Sequence, residues 1–212
     1  MKNKKFVNNE FVESENEIIT FLNNQFIFHG FKNFSLDELA LRFQISKKTI
    51  YKRFETKEEI IRTVLNQQLS EAYTNFVSII QSRITIVEMF VELSKIIEKY
   101  YSVFNETSIK KLSKYFPELA EYIVNFRTSR IIPLVKILLK LGKKRQLILE
   151  IPDEIIIRVF NSALSDIVQS KSTIDSQQSY EGLFRQSFNL LLNGILTKKG
   201  KQILINKIEV VK

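Results

Sequence analysis

Between Ser35 and Phe54 the chain reads SLDELALRFQISKKTIYKRF, and its chemically active side chains are hydroxyls and cations. Ser46, Lys47, Lys48 and Thr49 are consecutive, and Tyr51, Lys52 and Arg53 follow within a helical turn. Such a group suits a nucleic acid. Lysine donates to guanine O6 and N7 in a major groove, a threonine methyl meets a thymine methyl, and neighbouring cations hold phosphates. Seven basic residues stand against three acidic ones from Lys32 to Lys57. The excess is not confined there: the whole chain carries +9, and a lysine-rich tail runs from Lys198 to Lys212. Charge alone therefore points to an anionic partner, nucleic acid or membrane surface, and arrangement has to separate the two.

Enzyme chemistry is poorly supplied. There is no cysteine, so disulfides, thiolate metal sites and cysteine nucleophiles are excluded. The single histidine, His29, leaves no multi-histidine metal site and no spare base for a serine relay. No carboxylate pair has a spacing that singles it out for acid-base work. The segment GILTKKGKQ has one residue too many between Gly194 and Gly200 for a phosphate loop, and Gln202 follows Lys201 where Ser or Thr is required. No catalysis, cofactor or metal is expected. The N-terminal MKNKKFVNNEF lacks the apolar core of an export signal. RIIPLVKILLKLG is interrupted by Pro133, Lys136 and Lys140, short of the roughly 20 apolar residues a bilayer span needs. The expected location is the cytoplasm.

The elements that must carry these residues are helices. The chain has 212 residues, 44% of them hydrophobic, with only five glycines and three prolines, and its apolar residues recur three and four apart. A first helix is expected from Ser14 to Phe28 with Ile18, Leu22 and Phe26 inward, stopped near Gly30. Ser35 caps a short second helix, with Glu38 completing a capping box and Leu36, Leu39, Ala40 and Phe43 on one face. After a turn at Gln44 and Ile45, Ser46 caps a third helix that buries Ile50 and Phe54 and leaves the lysines outside. Two capped helices joined by a tight turn are the helix-turn-helix pattern. In that pattern Ser46, Lys47, Lys48 and Thr49 face bases, while Tyr51, Lys52, Arg53 and Lys57 face phosphates.

Thr56, with Glu59 three residues on, starts a long helix over Lys57–Gln81. Further helices are expected over Ile84–Phe104, Thr107–Tyr115, Pro117–Leu141, Asp153–Gln169 and Tyr180–Leu196. Pro133 should kink the Pro117–Leu141 helix and Gly142 stop it. The segment KSTIDSQQS, Lys171 to Ser179, suits a surface loop. The last two helices are apolar on more than one face, through Phe160, Leu164, Ile167, Phe184, Phe188 and Leu191. Either they form a central core pair or their second face meets another subunit.

The stretch SLDELALRFQISKKTIYKRFETKEEII resembles the TetR family of bacterial transcriptional regulators. Tyr51, Phe54 and Lys57 fall in register with the family's Tyr, Phe and following Lys. Gln44 replaces the usual turn glycine, Lys48 a small residue and Arg53 the usual histidine. The resemblance implies an all-α protein, with a DNA-binding domain at 1–56 and a ligand-sensing and dimerisation domain at 57–212. It implies that Ser35, Tyr51 and Lys57 contact phosphates and that Ser46, Lys48 and Thr49 face bases. It also implies a homodimer joined through the last two long helices, a palindromic duplex operator, and a small-molecule effector among the middle helices. Tyr100, Tyr101, Phe104, Phe126, Arg127 and Arg130 are candidates for that pocket, although each alone would equally suit core or surface. Seventeen phenylalanines without a tryptophan favour an apolar or aromatic effector. The rival expectation is a helical membrane-surface or scaffold protein that uses its basic face.

Overall fold

A computed structural model describes residues 16–26, 35–169 and 180–210. These form eleven α-helices: α1 (16–26), α2 (Leu36–Arg42), α3 (Lys47–Arg53), α4 (Lys57–Gln81), α5 (Ile86–Phe104), α6 (Glu106–Ser113), α7 (Pro117–Phe126), α8 (Ile132–Lys144), α9 (Asp153–Gln169), α10 (Tyr180–Ile195) and α11 (Lys198–Val210). Among the described residues there is no strand, only an isolated bridge between Ile148 and Leu196. The loop expected at 171–179, the stop near Gly30 and His29 lie outside the described residues.

Two hydrophobic clusters organise the chain. The first joins Ile18, Leu22 and Phe26 of α1 to Leu39, Ile50 and Phe54 of the helix-turn-helix. It also takes in Ile60 to Leu65 at the start of α4, and Leu119, Ala120 and Ile123 of α7. The second gathers Phe76 of α4 with the apolar faces of α5, α8, α9, α10 and α11. The N-terminal helices therefore form a head whose core continues into the start of α4 and into α6 and α7. Phe21 packs edge-on against Phe43 with ring centroids 5.8 Å apart, and the Arg42 guanidinium lies 4.2 Å over the Phe21 ring, fixing α1 on α2.

Polar caps set the helix starts. Ser35 Oγ accepts from Asp37 N at 3.2 Å, one residue short of the expected box with Glu38. Thr56 Oγ1 accepts from Glu59 N at 3.1 Å, but the Glu59 carboxylate returns to Glu55 N instead of Thr56. The reciprocal capping box belongs to Thr85 and Glu88 at the start of α5. The start expected there, Ile84, is one residue ahead of the cap.

Helix ends use glutamine where glycine is the usual residue. Gln44 has φ 52° and Gln146 φ 58°, both left-handed. At the first, Gln44 N donates to Leu41 O and Ile45 N to Ala40 O; at the second, Gln146 N donates to Lys143 O and Leu147 N to Gly142 O. Both are Schellman closures with glutamine at the left-handed residue. Each carries roughly 1–2 kcal/mol of backbone strain that a glycine would avoid. Gly142 is thus not the stop: α8 continues to Lys144, and Gly142 is buried where a Cβ would overlap Ile148 Cδ1 and lie 2.8 Å from Cγ1.

The helix expected over Pro117–Leu141 is continuous through α7 and α8, but it contains a π-helical turn at Arg127–Ile131. The Ile132 amide donates to the Arg127 carbonyl, five residues back. Pro133 has no amide to continue the α-helical ladder, so the distortion falls one turn ahead of it. Thr128 Oγ1 donates to the Val124 carbonyl at 3.0 Å and Ser129 Oγ to the Asn125 carbonyl at 2.6 Å, which supports the widened turn.

Candidate nucleic-acid interface and ligand cavity

Helix α3 is held from below and open above. Ile50 and Phe54 are buried in the head, and Ser46 Oγ accepts from Thr49 N at 3.0 Å and sits 2.8 Å from Thr49 Oγ1. That cap fixes the N-terminal turn, from which Lys48 projects exposed beside half-exposed Thr49. Tyr51 is 45% exposed despite its ring, and Lys52 is exposed next to it. The expected base-facing residues therefore share one turn. Within it Lys47 is turned away: its Nζ pairs with Asp37 Oδ1 of α2 at 2.5 Å, with both side chains exposed.

The expected phosphate-facing residues divide. Ser35, Tyr51 and Lys57 flank α3 at the starts of α2 and α4 and on α3 itself, whereas Arg53 is half-buried at the end of α3. The first turn of α4 is capped by Thr56, whose Oγ1 accepts from Glu59 N. Exposed Lys48, Tyr51 and Lys52 thus stand on α3 between the capped starts of α2 and α4. That arrangement matches what a duplex backbone requires.

A cavity of about 210 Å³ opens among α4, α5, the π turn, α8, α9 and α10. Of the expected pocket residues, Tyr100, Tyr101, Phe104 and Arg127 line it. Phe126 does not; its ring meets Tyr73 edge-on at 6.1 Å. Arg130 is exposed to solvent and also stands outside the lining. The Tyr101 hydroxyl donates to the Asn161 carbonyl at 3.0 Å, and burial pushes its phenol up to about 12. Burial likewise pushes Tyr100 up to about 12, beside the Lys99–Glu71 pair, whose Nζ–Oε1 separation is 2.7 Å. Asn105 joins α5 to α6 at the cavity edge: its side-chain amide donates to the Tyr101 carbonyl at 2.8 Å, and its Oδ1 accepts from Ser108 N. Sequence reasoning missed Asn105, although an asparagine between two apolar periodic runs is a cap signal.

The residues expected at a subunit interface mostly turn inward. Leu164, Phe184 and Phe188 are buried in the second cluster, and Phe160 packs edge-on against Phe188 at 5.3 Å. Phe160, Leu164 and Phe188 also line the cavity. Leu191 is half-buried, and the Ile167 side chain lies outside the described residues. The outer faces of α9 and α10 instead present Ile155, Val159 and Leu190 at 53%, 48% and 74% exposure. Among the described residues no group of His, Cys, Asp or Glu could hold a metal ion, and no helix is long and apolar enough to cross a membrane.

Comparison with known proteins agrees with this architecture. Residues 22–64 match the family described as "Bacterial regulatory proteins, tetR family". A transcriptional regulator from Saccharomonospora viridis, solved in complex with choline, superposes with a TM-score of 0.72 at 16% identity, covering 88% of this chain and 100% of that one. The TetR family regulator PfmR from Thermus thermophilus gives 0.62 at 19% identity, covering 83% and 97%. The ketosteroid transcriptional regulator KstR2 of Mycobacterium tuberculosis gives 0.64 at 15%, covering 87% and 96%. No curated protein sequence matches the chain. The matched segment contains the helix-turn-helix of α2 and α3 together with the start of α4. The chain is similar to the TetR family over residues 22–64 and shares the all-helical fold of these solved structures along most of its length.

Proposed function

We propose that this protein is a cytoplasmic, ligand-responsive transcriptional repressor that binds a palindromic duplex operator as a homodimer. Residues 1–56 form its DNA-binding domain and residues 57–212 its sensing and dimerisation domain. The observation that carries the reading is α3, whose buried Ile50 and Phe54 leave Ser46, Lys48, Tyr51 and Lys52 exposed and Thr49 half-exposed on one short helix. Segment 46–53 enters the major groove, with Ser46, Lys47, Lys48 and Thr49 at base edges. Ser35, Tyr51, Lys52, Arg53 and Lys57 hold phosphates, and Lys47 reaches the groove after leaving Asp37.

The two copies meet through the outer faces of α9 and α10, where Ile155, Val159 and Leu190 offer the apolar area that the inward residues do not. An effector in the cavity prefers one arrangement of α4, α6 and α7, and so moves the two α3 helices away from the roughly 34 Å separation of successive major grooves. The Saccharomonospora regulator was solved in complex with choline, which supports a small-molecule ligand for a protein of this fold.

The test is retardation of duplex DNA taken from upstream of the protein's own gene. Specific retardation that weakens with salt, and falls about tenfold or more in Lys48→Ala and in Tyr51→Phe, is expected. Binding to anionic vesicles without binding to any duplex would instead support a membrane-surface protein and overturn the regulator.

A further inference from the structure

Two charged side chains reach the cavity, Glu106 and Arg127, and both act on the Tyr101 phenol. Four polar residues reach the lining: Asn105, Glu106, Arg127 and Asn161. Asn105 is used in capping α6, and Asn161 contributes the carbonyl that receives the Tyr101 hydroxyl. Glu106 is exposed in the first turn of α6, where a negative charge complements the helix N-terminus. Arg127 is half-buried, permanently charged, and forms no ion pair among the described residues. It faces walls built from Phe90, Tyr101, Phe104, Phe160 and Phe188 together with aliphatic side chains. A cation at the edge of an apolar chamber is complementary to an anion attached to an apolar body.

The place of Arg127 in the chain adds a second argument. It is the first residue of the π turn, and its carbonyl receives the Ile132 amide that closes the wide turn. Ile131, the last residue of the turn, also lines the cavity. On the N-terminal side, Leu119, Ala120 and Ile123 of α7 are packed in the core of the DNA-binding head. On the C-terminal side, Leu138 and Leu139 of α8 are packed in the core of the body. The turn is therefore one of the covalent links between the two cores, as α4 is, and it is also part of the cavity wall. A π turn differs from α-helix by one residue of register, so a return to α-helical winding there would rotate α7 relative to α8.

We propose that the cavity takes an apolar monocarboxylate, its carboxylate on the Arg127 guanidinium and its body among the aromatic rings, and that the π turn passes its arrival to the DNA-binding head. This rests on the regulator reading, from which it takes the destination of the signal. A carboxylate matches the planar guanidinium in shape and neutralises it one to one. The cavity of about 210 Å³ and its apolar walls suit a short alkyl chain such as that of octanoate. A quaternary ammonium held by Glu106 and the ring faces is the opposite assignment, and the experiment separates the two.

Isothermal titration of the full-length protein with sodium octanoate, octyltrimethylammonium and 1-octanol is the first measurement. Octanoate should bind at least tenfold more tightly than octyltrimethylammonium. Arg127→Gln should weaken octanoate about tenfold to a hundredfold and leave 1-octanol unchanged. Tighter binding of the ammonium, equal octanoate binding by wild type and Arg127→Gln, or no binding of any of the three overturns the assignment. Hydrogen exchange across residues 117–132 reads the transmission without DNA. Octanoate should change protection in α7 and the π turn of the wild type, and unchanged protection there refutes the transmission. Duplex retardation by the same ligand-free preparation stands apart from both. Failure to bind DNA while octanoate binds and alters α7 would reject the regulator and leave the cavity assignment in place.

Discussion

Asp37 holds Lys47 away from the surface proposed to meet DNA, so removing its charge should tighten DNA binding while slightly weakening the fold. The Lys47 Nζ lies 2.5 Å from Asp37 Oδ1, and the two side chains are 51% and 75% exposed. An ion pair so open to water contributes about 0.2–1 kcal/mol, and Lys47 must give up that amount to reach a phosphate. Asp37→Asn removes the cost, which corresponds to up to about fivefold tighter binding. If Lys47 then adds one phosphate contact, the slope of log K against log salt steepens by about 0.9. The same substitution removes a negative charge from the first turn of α2, where it is worth about 0.3–1 kcal/mol to the helix. Affinity and thermal stability should therefore move in opposite directions. Fluorescence anisotropy of a labelled duplex, titrated at several salt concentrations for wild type, Asp37→Asn, Lys47→Ala and the double variant, measures the affinities and the slopes, and thermal melts of the same proteins measure the stability. The gain should shrink in the Lys47→Ala background. An equal gain there would mean that Asp37 acts by general repulsion, and weaker binding by Asp37→Asn would refute the account altogether.

Gly142→Ala should destabilise the protein, because the overlap with buried Ile148 costs roughly 1–3 kcal/mol and outweighs the gain of about 1 kcal/mol in helix propensity. Urea unfolding should show the loss, with Ile148→Val restoring part of it; a stabilised Gly142→Ala would put the close approach in error. The phenols of Tyr100 and Tyr101 are each raised to about 12 in the fold from an unfolded value of 10.0. Their contribution to stability is complete below pH 10, because the unfolded chain releases these protons first, and it is lost as pH rises from 10 to 12. Titration of tyrosinate absorbance should show two of the phenols lagging the rest, and seven ionising together near 10 would contradict their burial.

What the sequence reveals and what it hides follow from the range of the signals. The head is legible because its signals are local: Leu39, Ile50 and Phe54 lie on short periodic stripes, and Ser35, Ser46 and Thr56 are caps read within three residues. The left-handed position at Gln44 can be anticipated from where a glycine usually stands, but no such comparison marks Gln146, so helix-end rules place the stop of α8 at Gly142. What distinguishes Gly142 is the approach of Ile148, a tertiary contact that those rules cannot contain. Phe184 and Phe188 are open to core or interface for the same reason, since periodicity counts apolar faces without saying what each one meets.

The cavity shows the same limit in another form. Tyr100, Tyr101, Phe104 and Arg127 are recognisable as a chemically mixed group, yet Phe126, next to Arg127 in sequence, faces Tyr73 instead. The π turn begins between those two residues, and the sequence announces it only through Pro133 and the hydroxyls of Thr128 and Ser129. Helix rules alone make the proline a kink in a rod. In the fold it is the reason the rod carries an extra residue of register, and that residue lies where the head, the body and the cavity meet. A helix evenly wound through residues 127–131 would have joined the two cores without a change of register between them. The wide turn places its extra residue of register at the wall that an effector would touch.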